Sequence, residues 1–64
     1  MITKNKYVYL FPIVGTNNSA YNIVEARYMS GGYFEHSEGV SDMIQGTYKE
    51  ALDWLHENNL IKVN

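Results

Sequence analysis

Thr47 to Leu60 reads TYKEALDWLHENNL, the one stretch of the chain that carries a start signal, an apolar stripe and a stop signal for a single helix. Thr47 with Glu50 three residues on is a capping box. The hydroxyl accepts from one backbone N–H left unpaired at the helix start, and the carboxylate accepts from another. At 100° per residue, Tyr48, Ala51, Leu52 and Leu55 form one apolar stripe, with Lys49, Glu50, Asp53 and Glu57 on the far side. Asn59 tolerates the left-handed conformation of a residue just past a helix, and Leu60 would then meet Leu55, which predicts a Schellman stop. Trp54 lies on the flank of the stripe and belongs to neither face.

Around this helix, 64 residues make one domain, residues 1–64. A chain this short buries only about 60% of the surface it exposes when unfolded. It has no cysteine, so neither a disulfide framework nor a cysteine-based zinc site adds to the packing, and stability has to come from aromatic-rich contacts and self-association. The opening MITKNKYVYLFPIVG has a charged start and an apolar run. The run is broken by Pro12 and lacks a small-residue cleavage site, so it reads as a strand and not as a signal peptide or membrane span. A cytoplasmic location is the corresponding expectation.

The formal charge is −2, which taken alone argues against a groove that neutralises nucleic-acid phosphates. Lys4, Lys6 and Arg27 against Glu25 leave the first 34 residues at +2. Lys49 and Lys62 against Glu35, Glu38, Asp42, Glu50, Asp53 and Glu57 leave the remainder at −4. The helical half is the acidic half, either an ordinary solvated helix face or a surface for a basic partner.

Lys6 to Val14, KYVYLFPIV, is β-branched and aromatic with no polar residue after Lys6, and it predicts a strand covered on both faces. Tyr7, Tyr9 and Phe11 fall on one face and Val8, Leu10 and Val14 on the other. Pro12 cannot donate to a ladder and belongs at an edge, a bulge or a strand end. Gly15 to Ala20, GTNNSA, is a loop. Tyr21 to Ser30 is a second strand, Gly31-Gly32 a turn, and Tyr33 to His36 a third strand. A two-residue turn pairs Ser30 with Tyr33, Met29 with Phe34, Tyr28 with Glu35 and Arg27 with His36. One face then carries Tyr21, Ile23, Glu25, Arg27, Met29, Phe34, His36 and Glu38, and the other Val24, Ala26, Tyr28, Tyr33 and Glu35. Neither is cleanly apolar, so the pattern does not say which one the helix covers. Residues 37–46 fit a short fourth strand, a turn of helix or an apolar loop, and Leu60 to Val63 alternates as a short terminal strand would. The expected architecture is α+β: a three-stranded antiparallel meander with one C-terminal helix packed on it and a short extra strand at the C-terminus.

Catalytic signatures are missing. Glu35 and His36 alternate to opposite faces of a strand, and His36 and His56 match no helical metal spacing. No nucleophile elbow or serine-histidine-aspartate order is present. Gln45-Gly46-Thr47 opens the helix where an anion could sit, but capping alone explains these residues, and Glu50 would repel an anion there. No enzymatic activity and no cofactor or metal are therefore expected. Six tyrosines, two phenylalanines and one tryptophan fit either a protein interface, where Tyr and Trp are enriched, or a stacking platform for single-stranded nucleic acid, with Tyr7, Tyr9, Phe11, Tyr21 or Phe34 under the bases. The second needs cations beside the rings, and only Lys4, Lys6 and Arg27 are on offer.

Met43 to Ala51, MIQGTYKEA, resembles the strand-to-helix junction of HicB-type antitoxin domains, small sheets followed by a helix that opens with a Gly, a Thr and a Glu-Ala pair. The resemblance implies a small sheet with a helix behind it. The acidic, proline-marked segment that such antitoxins carry between the second and third strands is not evident here, so the likeness bears on fold more than on function. The leading functional expectation is a non-enzymatic protein that binds another protein or a second copy of itself, in the manner of a host-modulating or antitoxin-like accessory protein of a phage or mobile element. The candidate contact residues are Trp54, Tyr48, Asp53 and Glu57 on the helix and Tyr7, Tyr9 and Phe11 on the sheet, with an exposed sheet edge as a further docking route.

Overall fold

The computed structural model describes residues 6–64; the candidate cation Lys4 lies outside them. The elements are β1 (Lys6–Pro12), β2 (Ala20–Met29), β3 (Tyr33–His36), β4 (Asp42–Gln45), α1 (Tyr48–Glu57) and β5 (Leu60–Lys62). They build one five-stranded sheet in the order β3-β2-β1-β5, with β4 also paired to β2. β2 pairs antiparallel with β1, β3 and β4, whereas β5 lies parallel to β1. The three-stranded antiparallel meander is thus corrected to a five-stranded mixed sheet. The reason is connectivity. β4 runs in the direction of β1, and α1 carries the chain across the sheet, so the strand after the helix arrives parallel, as a helical crossover requires.

Residues 37–46 resolve into β4 and a preceding excursion. β2 is long enough to serve two partners end to end: Ala26 to Met29 pair with β3, and Ala20 to Ile23 pair with β4. His36 pairs with Ala26 and Asp42 with Ile23, so five residues, 37–41, oppose only Val24 and Glu25. The Ser37 and Ser41 N–H groups donate to the Glu25 and Ile23 carbonyls at 2.9 and 2.8 Å, which holds the excursion against the sheet. An excess of three residues is odd and therefore reverses side-chain parity. That reversal places Ile44 in the core and leaves Met43 65% exposed on the other side.

The first hairpin behaves as read. In residues 13–20, Gly15, Asn17 and Asn18 adopt positive φ, and the Ile13 N–H donates to the Ala20 carbonyl at 3.0 Å. Pro12, which has no N–H to give the ladder, is the last residue of β1. Val14, expected on the face of Val8 and Leu10, lies beyond the strand and is 98% exposed. The second hairpin corrects the register. Gly32, at φ 85°, donates its N–H to the Met29 carbonyl at 2.9 Å, so the loop is Ser30-Gly31-Gly32. Tyr28 then pairs with Phe34 and Ala26 with His36. Slipping one residue moves every β3 side chain to the opposite face: Phe34 and His36 join Tyr28, while Glu35 joins Arg27.

α1 follows its signals. The Glu50 N–H donates to Thr47 Oγ1 at 3.2 Å and the Thr47 N–H to Glu50 Oε1 at 2.9 Å, completing the capping box. Asn59 has φ 58°. Ala51 and Leu55 are buried and meet Val8, Leu10, Tyr21, Ile23 and Ile44, with Leu52, Trp54 and Leu60 packed around them. Burying a Leu side chain contributes about 1.5–3 kcal/mol, so this one-sided core holds the helix to β1, β2 and β4. Among the described residues no helix covers the other face of the sheet, which corrects the expectation that β1 is covered on both sides.

Candidate functional site: an open aromatic sheet face

Alternation along the paired strands assigns every side chain of the sheet to the helix side or to the open side. The open side receives Tyr7, Tyr9 and Phe11 from β1. From β2 it receives Ala20, Asn22, Val24, Ala26 and Tyr28. Phe34 and His36 come from β3, Met43 and Gln45 from β4, and Ile61 from β5. The middle strand supplies small residues and its neighbours supply rings. Those rings close over it: Tyr7 and Phe34, from strands on opposite sides of β2, have centroids 5.0 Å apart, and Tyr9 and His36 meet edge to face at 6.0 Å. Beneath them Val24 and Ala26 are each only 7% exposed. Tyr28 stands against Phe34 at 5.2 Å, and Tyr9 stacks on Phe11 at 5.6 Å with an interplanar angle of 8°. Tilted and offset ring pairs of this kind contribute about 0.5–1.5 kcal/mol each beyond the area they bury.

The rings roof a second, shallow apolar layer while presenting their outer surfaces to solvent. Tyr7, Phe11, Tyr28, Met43 and Ile61 are all exposed large hydrophobic residues, and they lie on this one face. Contiguous apolar surface of this sort on a small domain marks an interaction site.

Charge is divided between the two sides. Among the described strand residues, Lys6, Glu25, Arg27, Glu35, Asp42 and Lys62 carry all the fixed charge, and each falls on the helix side. On the open face these strands place no Lys, Arg, Asp or Glu, and among their residues there is His36, whose Nδ1 lies 3.2 Å from the Ser37 carbonyl oxygen. Lys6 and Arg27, proposed from sequence as phosphate partners for the rings, project away from them.

Of the residues singled out in the sequence, Tyr7, Tyr9, Phe11 and Phe34 are brought together here, whereas Tyr21, also offered as a stacking ring, is buried on the helix side. The four helix candidates lie on the other side of the molecule. Trp54 is half-buried against the core and forms one wall of a groove of about 200 Å³ whose lining includes Val8, Ile23, Lys6, Glu25 and Asp42. Tyr48 is exposed, with its ring 5.9 Å from that of Tyr21. Asp53 accepts from Lys49 Nζ at 3.0 Å, one turn away, and Glu57 is exposed. Glu50 is engaged in its cap. The Thr47 backbone N–H, and after it the Thr47 hydroxyl, holds the Glu50 carboxyl below its ordinary value.

Tyr28, His36, Met43 and Ile61 were not among the contact residues read from the sequence. The three-residue hairpin loop, legible as Ser-Gly-Gly, was the signal that would have placed Tyr28, Phe34 and His36 together. Met43 depended on the odd excursion, which has no local signature.

Both sheet edges are short or interrupted, against the expectation of an edge free to accept a strand. One is β3 and β4, broken by residues 37–41. On the other, β5 covers the first part of β1, the Val63 N–H donates to the Val8 carbonyl at 3.0 Å, and the Asn64 side-chain amide bonds both the N–H and the carbonyl of Leu10, at 3.0 and 2.9 Å. Interruption and short strands are recognised ways of blunting an edge.

Among the described residues, no three His, Asp or Glu side chains come together as metal ligands would, and no helix is long and apolar enough to cross a membrane. No protein-family model, curated protein or solved structure matches the chain.

Proposed function

We propose that this protein is a binding module without catalytic activity, and that its contact surface is the open aromatic face of the sheet. The observation that carries the reading is the segregation of the face: exposed apolar side chains from β1, β2, β4 and β5, with no fixed charge among the described strand residues beside them. Aromatic residues and Met are enriched, and charged residues depleted, at the centres of protein interfaces. An accessory, host-modulating role, antitoxin-like in kind, suits the size of the chain. The likeness of Met43 to Ala51 to a HicB-type junction adds support at the level of fold, since those residues do join a strand to a helix.

The stacked Tyr9 and Phe11 rings favour a second reading, a platform for the bases of single-stranded nucleic acid. Such a platform draws much of its affinity from cations tracking the backbone, and on this face the described strands supply none.

The test is affinity capture from cells that make the protein, comparing the wild-type chain with Tyr28→Glu on the open face and Glu57→Lys on the helix. The expected result is loss of the captured protein with Tyr28→Glu only. Loss with Glu57→Lys instead would move the contact surface to the helix and its neighbours Trp54, Tyr48 and Asp53. Binding of a labelled single-stranded oligonucleotide at low salt, lost on Tyr9→Ala, would favour the second reading.

A further inference from the structure

We infer that the occupant of the open face is a second copy of this chain, packed sheet against sheet about a two-fold axis to give a helix, sheet, sheet, helix sandwich. The inference rests on reading that face as a protein-contact surface, and it names the partner.

Charge is the first argument. A two-fold interface sets a patch against itself, so any fixed charge near the axis meets its own copy. This face has none among its described strand residues, so pairing them opposes no like charges across the interface. A strongly acidic or basic partner would find nothing here to pair with.

Area is the second. The molecule is a slab of 36 × 27 × 16 Å, and its broad side is large enough to supply the roughly 800 Å² per partner of a standard interface. Packed sheets stand about 10 Å apart, a gap that rings lying over Val24 and Ala26 from each side would fill. The third argument is elimination within the sheet. The edges are interrupted or short, so self-association through the sheet falls to its face.

The closing experiment is sedimentation equilibrium of the full chain over a range of concentrations, with Tyr28→Glu and Met43→Glu as separate variants. Both side chains are 65% exposed and sit on different strands, so each tolerates the change without loss of the core, which an unchanged far-ultraviolet spectrum verifies. The expected result is a dimer whose dissociation constant rises at least about tenfold with either substitution, because each buries a pair of unpartnered carboxylates. A wild-type chain that stays monomeric at about 100 μM, weak even by the scale of transient complexes, overturns the second-copy assignment. The capture experiment still reads the docking surface in that case, so the two failures are distinguishable. A dimer indifferent to both substitutions also overturns it, by placing the interface elsewhere.

Discussion

Tyr7 and Phe34 belong to strands that never touch, yet their ring centroids lie 5.0 Å apart because both reach over β2 and close above Ala26. The contact explains how a sheet with a helix on one side only keeps the small residues of its other side dry. Phe34→Ala should therefore destabilise the fold, by roughly 1–3 kcal/mol for a half-buried ring, less than the full core cost of 3–5. Phe34→Leu should recover most of the loss. Urea denaturation of both variants measures this. Equal stability of Phe34→Ala and wild type would reduce the rings to surface decoration.

The excursion at residues 37–41 lies between β3 and β4. Deleting Gly39 alone leaves an excess of two, and deleting Glu38 and Gly39 together leaves an excess of one, a simple bulge; in both, Ile44 stays opposite Tyr21 as long as β4 keeps its pairs. Ile44 turns outward only if β4 slips by one residue along β2. Both deletions should therefore keep a cooperative melt with the core intact, and a broadened, low-temperature melt for either would mean that β4 had slipped. Thermal unfolding followed by circular dichroism decides between the two.

Gly46 and Thr47 shape the helix start. Gly46 has φ 139°, and a Cβ there would sit 3.1 to 3.2 Å from Glu50 atoms, the carboxylate included. Gly46→Ala should cost more than about 1 kcal/mol, since backbone strain and displacement of the cap combine, and Thr47→Ala should cost about 1 kcal/mol. Because both act on the same cap, the double substitution should cost less than the sum of the two, as a denaturation cycle would measure.

The same cap makes stability depend on pH. The Glu50 carboxyl is held below its ordinary value, first by the Thr47 backbone N–H and then by the Thr47 hydroxyl. A carboxyl whose folded value is depressed adds stability that is fully present above its unfolded value and is lost as pH falls through the folded one. The melting temperatures of wild type and Glu50→Gln should therefore differ most near neutrality and converge in acid. A gap that does not change with pH would mean that Glu50 contributes packing and not charge.

The sequence by itself determined the elements whose information is local. α1 was legible from Thr47 to Asn59 because capping, a 3.6-residue stripe and a left-handed stop are all written within a few residues of one another. The same holds for residues 15–19 as a loop and for Tyr7, Tyr9 and Phe11 sharing a face. What only the tertiary structure decided was register and neighbourhood. One extra loop residue at Ser30 moved Phe34 and His36 to the face of Tyr28. An odd excess between β3 and β4 exchanged Ile44 and Met43, and a helix crossing the sheet delivered β5 parallel to β1. With a side-chain period of two, each of these single-residue questions flips a whole strand, and the hydrogen bonds that settle them join residues far apart in the chain. The candidate site shows the same division. Its β1 rings could be named from the sequence, but the partners that close over Ala26, and the absence of charge beside them, followed only once the strands were paired.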